Sequence, residues 1–548
     1  MNFARAATRP VSTSQLADTA IERSTFPKRW SYKTTFRFGD LIPLHWEMIY
    51  PGTSLDDSHT AVLARMSTPL YPVMDNAYID FYYFFVPMRL VWDHWKEMFG
   101  ENNVNAWTQT VEYSVPTMPT GLNVTSNSYT LWDYFGLPCN LDASGEEAPL
   151  VMALPFRGYR LIWNEFYRNQ NVSAPKLVNT GDVESDMTLN EVLRASRFHD
   201  YFSDALPAPQ KGPDTLIPGI ANTPIITGAS DLSGLQSPLV FRQSDNGNFL
   251  PSGYSSAYIH GSVLFSQPGG ATPPSGVALY PSNLHVSSLN AGYTISALRT
   301  AFQIQRILER DARSGTRYTE YLLGAFKTKS PDARLQRPEF LGTSRMSLNI
   351  SQVLQTSSTD TTSPLGQTGA YSKTAHNFRV PRHGFTEHGM LFVLATARTE
   401  RSYQNRIDRK WTCFKRFDFY DPALAHISEQ PVYTRELSYQ GTGAGASYDQ
   451  VFGYQEAWQY LRCNQDVFTS SFRSNATGSL DSWHYGDVYD EPPTLSEGWM
   501  LEGSENVQRT LAVQDASPYD QILMDVYFDW KITAPIPIHS IPGAVDHF

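Results

Sequence analysis

Cysteine, charge and long apolar runs are all scarce in this sequence of 548 residues. The three cysteines, Cys139, Cys413 and Cys463, lie far apart and form no C-x-x-C pair, which argues against a disulfide framework or a zinc ribbon. We therefore expect reduced thiols in a cytoplasmic setting. No apolar stretch is long enough to cross a membrane, and the N-terminus lacks the apolar core of a signal peptide. These absences predict a soluble protein that is made without export and does not insert into a membrane.

The residues that are abundant favour a β-rich protein. Charged residues make up 18% of the chain and aromatic residues 13%, alongside 35 glycines and 36 prolines. Such a composition is typical of a β protein that hides much of its surface in contacts. The net charge of −11 argues against nucleic-acid binding over the whole surface, although it allows local basic patches.

One stretch predicts the centre of the fold. From Tyr78 to Val86 every residue except Asp80 is β-branched or aromatic. Successive side chains of a strand point to opposite faces, so this strand must be covered on both sides. Pro87 should end it, because proline has no N–H to give to a neighbouring strand.

Residues 1–37 form a basic arm in this interpretation. Seven lysines and arginines stand against Asp18 and Glu22, a net charge of +5, and strand-like periodicity begins only at Thr34. Such an arm is either a solvated tail or a segment that neutralises phosphates, with Trp30 and Tyr32 available to stack on bases.

Two helices are predicted outside the strands. One covers Pro155 to Gln170, with an apolar face that packs on the β body. The other covers Ile295 to Arg313, with an apolar stripe opposite four arginines: Arg299, Arg306, Arg310 and Arg313. Those arginines are either solvated or meet an acidic partner.

Residues 214–290 differ most in composition from the rest. They contain 9 glycines, 8 prolines and 13 serines, with aromatic residues spaced among them. We expect a compact, loop-rich insertion, because structured insertions of this length usually serve as functional surfaces.

Searches for catalytic motifs find little. His383, Glu387 and His388 have the wrong spacing for a zinc-peptidase signature, and that segment leads into a strand-like run. A cluster of carboxylates at 481–497 is either a solvated acidic loop or a site for a structural divalent cation. Asp418 and Asp421 offer paired carboxylates for sugar hydrolysis, although no second acid can be placed opposite them.

Nine ordered segments carry a family resemblance. They are KTTFRFG from Lys33, RMSTPLYPVMD from Arg65, FFVPMRLVW from Phe84, YRLIWNEFYRNQN from Tyr159, HDYFSDALPAPQKGP from His199, LERDARSGTRYTE from Leu308, SPDARLQRPEFLG from Ser330, FGYQEAW from Phe452 and the closing PGAVDHF. Together they resemble the major capsid protein of the microviruses, specifically the gokushovirus branch, across the whole chain. One departure is Ala457, where the family usually has arginine.

The resemblance implies a mainly β fold. It is the viral eight-stranded antiparallel jelly roll, with large loop insertions and a few helices. On this basis the jelly-roll body occupies 38–213 and 291–534, the insertion at 214–290 forms a protrusion at the threefold axis, and 535–548 is an extended tail. Sixty copies would form a shell of triangulation number one.

The resemblance also implies the partners. They are other copies of the chain, packaged circular single-stranded DNA, a small basic DNA-binding viral peptide, a scaffolding protein during assembly, and a host surface receptor. The protein would reside in the virion, and in the host cytoplasm during assembly. No cofactor is implied. The residues expected to face DNA are Arg5, Arg9, Arg23, Lys28, Arg29, Arg299, Arg306, Arg310 and Arg313, and those expected at the host contact are Phe249, Tyr254 and Tyr258.

Three functional classes remain open from the residues alone. The first is a structural shell protein without enzymatic activity. The second is a carbohydrate-active β-rich enzyme, which would show glycan turnover by a soluble monomer. The third is a receptor-binding spike, which would not need a subunit body of this size.

Overall fold

A computed structural model describes residues 22–102, 111–119, 129–139, 149–213 and 295–539, apart from gaps at 358–360, 362–363, 440, 442–448 and 513–519. Between 214 and 294 it describes residue 215 and the backbone of six strands. The chain divides into two compact units. Residues from Gln210 to Asp311 form one unit, and the residues before and after them form the other.

The described elements are mostly strands. The strands are β1 Ser24–Phe36, β2 Ile42–Ile49, β3 Ser54–Leu55, β4 His59–Met66, β5 Ala77–Pro87, β6 Ile225–Thr227, β7 Phe241–Gln243, β8 Tyr254–His260, β9 Val263–Pro268, β10 Leu279–Pro281, β11 Leu284–Val286, β12 Glu339–Ser347, β13 Ile350–Leu354, β14 Thr368–Ser372, β15 Thr374–Arg379, β16 His383–Gly384, β17 Gly389–Thr399, β18 Glu429–Tyr433, β19 Val451–Glu456 and β20 Ile522–Ala534. The α-helices are α1 Trp95–Met98, α2 Leu131–Tyr134, α3 Leu154–Ile162, α4 Ile295–Ser314, α5 Tyr318–Phe326, α6 Thr434–Leu437, α7 Glu497–Met500 and α8 Glu505–Gln508.

The larger unit is built on two antiparallel sheets. One sheet has the order β15-β4-β20-β3-β16, with β1 also paired to β20, and the other has the order β12-β5-β17-β2. Strands β3 and β16 have only two residues each. Without them, four long strands remain in each sheet. Apolar side chains of both sheets, such as Val526 from one and Leu391 from the other, share a single core. This arrangement confirms the predicted jelly-roll fold class.

The sheet β12-β5-β17-β2 is covered on both faces. Strand β5 contains the predicted central stretch, and Phe81 and Phe84, which alternate between its faces, are 0% and 1% exposed. One face meets the shared core, and the other packs on a second apolar cluster that includes residues of α3. Gly158 permits this contact, because a Cβ there would lie 3.0 Å from the side chains of Met390 and Phe392. The prediction of a strand buried on both sides is confirmed.

Among the described residues, the sheet that contains β1, β4 and β20 buries one face and exposes the other. Burial alternates along β20, with every second residue in the core. Strand β1 pairs with β20 from Ser24 to Phe36, so strand structure begins at Ser24 and the prediction of Thr34 was wrong. The alternation was hidden because Lys28 occupies an inward position, where Glu47 balances its charge at 2.6 Å.

Buried ion pairs fix long connections to the body. Arg401 lies 2.9 Å from Asp487 and 2.7 Å from Glu502, and all three side chains are nearly inaccessible to solvent. Arg157, whose side chain is fully buried in α3, likewise donates to Glu184 at 2.9 Å. A buried charge without a partner costs several kcal/mol, so removing one member of such a pair is strongly destabilising.

Strands of the smaller unit pair in a nested order. Strand β6 pairs with β11, β7 with β10, and β8 with β9, all antiparallel. The chain therefore runs out along β6, β7 and β8 and returns alongside itself through β9, β10 and β11. The reversal lies between His260 and Val263, which pair across the innermost ladder.

Candidate nucleic-acid interface

The cations of strand β1 already have partners. Lys28 donates to Glu47 at 2.6 Å, and Arg29 lies 3.0 Å from Asp529 on the adjoining strand β20. Just before β1, Arg23 donates to the backbone oxygen of Gly52 at 2.6 Å. Arg5 and Arg9 lie outside the described residues. The predicted DNA contact of these residues stays a prediction, although the positive charge of Lys28 and Arg29 is balanced within the subunit.

The aromatic residues of the same strand face inward. Trp30 stacks on Phe528 with ring centroids 4.7 Å apart, and it meets Trp530 edge-on at 5.2 Å. The Tyr32 hydroxyl donates to the backbone oxygen of Tyr134 at 2.9 Å, and burial raises the pKa of Tyr32 well above its usual value. These contacts occupy both rings, so the suggestion that Trp30 and Tyr32 stack on bases does not fit the structure.

Helix α4 carries the four predicted arginines. Arg310 pairs with Asp311 at 2.8 Å, and Arg313 pairs with Glu429. Arg299 and Arg306 are exposed, and among the described residues no carboxylate lies within ion-pair distance of either. Phe302 and Ile307 are exposed as well, at 60% and 46%. Two of the four arginines are therefore available to an acidic partner.

The predicted host-contact residues fall in the smaller unit. Tyr254 and Tyr258 lie on strand β8, opposite Pro268 and Phe265 of β9. Phe249 lies outside the described residues. Tyr258 is thus placed two residues from His260, at the end of the ladder where the chain reverses.

The carboxylates considered for chemistry hold backbone instead. Asp418 accepts hydrogen bonds from the amides of Phe414 and Lys415 at 2.9 and 2.7 Å, and Asp421 accepts from the amide of Ala423 at 2.8 Å. Both therefore cap short 3-10 turns.

The acidic segment at 481–497 has a structural role as well. Asp487 is buried between Arg197, at 3.3 Å, and Arg401, at 2.9 Å. In the part of the chain that the structure describes, no group of three or more histidine, cysteine or carboxylate side chains is placed to hold a metal ion. Asp487 thus serves ion pairs within the subunit.

One basic and aromatic segment was missed by the sequence analysis. We call residues 409–420 the aromatic loop; it contains the run RKWTCFKRFDFY. Trp411, Phe414 and Phe417 are 73%, 79% and 74% exposed. The signal that could have identified it is the alternation of rings and cations in a segment without strand or helix periodicity.

The described residues include no helix long and apolar enough to cross a membrane.

Family comparison assigns the chain by its sequence: the model for the family described as capsid protein (F protein) matches residues 14–544.

Curated relatives match over nearly their whole length. The chain is 36% identical to capsid protein VP1 of Spiroplasma virus 4, with 93% of each chain covered. It is 32% identical to capsid protein VP1 of Chlamydia phage 1, with 97% of each covered. It is 33% identical to capsid protein VP1 of Bdellovibrio phage phiMH2K, with 98% of each covered. These relatives are structural proteins and not enzymes, so the carbohydrate-active alternative is set aside. Together with its two-sheet jelly roll, these matches show that this chain belongs to the F-type capsid protein family, in its gokushovirus-type microvirus branch, and is a structural component of a virion.

Proposed function

We propose that sixty copies of this chain assemble into an icosahedral shell of triangulation number one that encloses circular single-stranded DNA. The observation that carries this proposal is the nearly full-length match to curated capsid proteins. Exposed apolar side chains support it, because Leu150, Leu177 and Val183 are more than 70% exposed in the single subunit and suit contacts between copies. Assembly would take place in the host cytoplasm.

Native mass spectrometry and electron microscopy of the expressed chain test the shell. We expect closed particles with the mass of sixty 61.7 kDa chains. The absorbance spectrum and nuclease sensitivity of the contents should identify single-stranded DNA. A chain that stays a single subunit under every assembly condition, with or without a scaffolding protein, would contradict the proposal.

The packaged DNA needs cations that this subunit supplies only in part. The subunit's net charge of −11 is unfavourable for binding DNA. A small basic viral peptide, polyamines or divalent ions would therefore neutralise most of the DNA phosphates. Among the nine basic residues predicted to face DNA, Arg299 and Arg306 are the best supported, because they are exposed and have no described carboxylate partner. Replacing both with glutamine should weaken DNA retention at high salt. Replacing Arg313, which pairs with Glu429, is the matched control.

The insertion at 214–290 is proposed to contact the host surface receptor. The nested strand pairs support this, since they carry the chain out to a reversal near Tyr258 and back. Replacing 214–290 with a short Gly/Ser bridge should leave particles intact and abolish attachment to host cells. Loss of assembly would instead identify the insertion as a packing element. Replacing Tyr254 and Tyr258 with alanine tests whether these rings make the contact.

A further inference from the structure

The aromatic loop exposes an unusual concentration of large rings. Trp411, Phe414 and Phe417 each expose more than 70% of their surface, and Phe419 and Tyr420 expose 59% and 50%. Exposed rings that are concentrated in one short segment, and not scattered singly over the surface, mark a binding surface. The loop lies wholly in the larger unit and wholly among the described residues.

Polar groups in the loop and just before it hold its backbone in this conformation. Asp408 accepts a hydrogen bond from the amide of Lys410 at 3.2 Å, and Asp418 accepts from the amides of Phe414 and Lys415. Those amide donors lower the pKa of Asp418. Arg409 donates to the backbone oxygen of Pro431 at 2.8 Å. The rings therefore point outward from a conformation that is fixed before a ligand binds.

Two cations of the loop form no ion pair among the described residues. The Asp418 carboxylate is engaged by the loop's own amides, and among the described residues neither Lys415 nor Arg416 has a carboxylate within 4.0 Å. Both side chains are exposed, between the rings of Phe414 and Phe417 in sequence. Lys410, next to Trp411, is 61% exposed although it pairs with Asp408 at 3.1 Å. Cations and rings thus alternate along one exposed segment.

This combination distinguishes two classes of occupant. The centre of an interface between protein subunits is depleted in charge, whereas surfaces for single-stranded nucleic acid combine cations with rings on which successive bases stack. The loop has as many exposed cations, three, as rings that are more than 70% exposed. We propose that residues 410–417 bind single-stranded nucleic acid, with Trp411, Phe414 and Phe417 stacking on bases and Lys410, Lys415 and Arg416 neutralising phosphates. The inference rests on the proposed enclosure of single-stranded DNA, and it places one contact with that DNA.

Fluorescence anisotropy of labelled oligo(dT) with the full-length, unassembled chain tests this surface. Trp411→Ala/Phe414→Ala/Phe417→Ala should weaken binding by about a hundredfold or more, because the variant loses three rings on which bases stack. The slope of log K against log salt should not change, since no cation is removed. Tyr371→Ala/Lys373→Gln, which removes an exposed ring and an exposed cation elsewhere, is the matched control and should bind like the wild type.

Lys415→Gln/Arg416→Gln gives an independent measurement. It should weaken binding and reduce the magnitude of the salt slope by about 1.4, the value for two phosphate contacts on a single strand. Because all five side chains are exposed, circular dichroism and the urea midpoint should match the wild type for both variants. Unchanged affinity in both would overturn the proposal.

Particle formation separates this inference from the proposed function. If the triple variant binds oligo(dT) normally but no longer assembles, the loop is a contact with a second copy of the chain and the proposal is wrong. If wild-type particles hold no single-stranded DNA while the loop variants lose oligo(dT) binding, the proposed cargo is wrong but the binding surface stands. If particles of the wild type and of the variants all hold single-stranded DNA, and the variants bind oligo(dT) as tightly as the wild type, then the proposed function stands and the proposed role of the loop is wrong.

Discussion

Strand β1 and the aromatic loop have similar residues and opposite exposure. Each combines lysines and arginines with aromatic rings over about a dozen positions. In β1 the Trp30 ring packs on Phe528, and the cations face carboxylates. In the loop Trp411 is 73% exposed, and Arg416 has no ion-pair partner among the described residues. Composition alone therefore does not identify a nucleic-acid surface.

The difference arises from strand pairing. Strand β1 is paired with β20 along its full length, so its side chains alternate and every second one turns toward the core. The aromatic loop has 3-10 turns that are capped by Asp408, just before the loop, and by Asp418 within it, and no such alternation buries its rings. A ring in a paired strand contributes to folding, whereas a ring on a capped turn remains available for binding.

The largest expected effect compares the two tryptophans. Trp30→Ala should lower the free energy of unfolding by about 2–3 kcal/mol, because it removes a half-buried ring and leaves a cavity beside Phe528 and Trp530. Trp411→Ala should change it by less than about 0.5 kcal/mol, as is usual for exposed positions. Urea unfolding of the unassembled chain measures both. Equal effects would show that the loop ring is packed, which would remove the basis of the comparison.

Much of this difference could not be predicted from the sequence. The central strand β5 was predicted, because an apolar run reports burial on both faces without reference to any partner. The inward position of Lys28 was not predicted, because its partner Glu47 lies on another strand. Likewise, Arg29 pairs with Asp529, which lies almost the whole length of the chain away in sequence. Long-range partners decide which cations are neutralised, and local patterns do not contain them.

In helix α3, too, the partners of buried cations could not be predicted from the local sequence. Its apolar face was predicted correctly, but Arg157 and Arg160 are also buried, at 0% and 2% exposure. Their partners Glu184 and Asp186 come from a connection with no periodic pattern. For the candidate site, the exposed arginines of α4 were among those predicted, whereas the aromatic loop was missed because its exposure depends on capping that involves Asp408 and Asp418.

A smaller effect is expected at Glu47, which neutralises Lys28 of strand β1. Burial disfavours the charged form of Glu47, but hydrogen bonds from His45 and Lys28 outweigh it and lower the pKa of this carboxyl. A carboxyl with a lowered pKa stabilises the fold above its unfolded pKa of about 4.3, and this contribution is lost as the pH falls through the folded value. Glu47→Gln should therefore cost about 1 kcal/mol at pH 7, and less as the pH falls toward 3.

Urea midpoints of wild type and Glu47→Gln at the two pH values give the measurement. Asp525→Asn, at a more exposed pair with Lys33, is the control and should have little effect at either pH. A cost that persists unchanged at pH 3 would mean that Glu47 acts by packing and not by its charge.

The smallest expected effect concerns Arg29. Its side chain is 63% exposed and pairs with Asp529, so Arg29→Gln should leave the urea midpoint unchanged. Its charge is also balanced by that aspartate, so oligo(dT) affinity should stay the same, whereas Arg416→Gln should lower it several-fold and reduce the salt slope by about 0.7. Anisotropy titrations at several salt concentrations compare the two variants directly. If Arg29→Gln weakened binding as much as Arg416→Gln, a local carboxylate would not prevent an arginine from contacting phosphate, and β1 would belong to the binding surface after all.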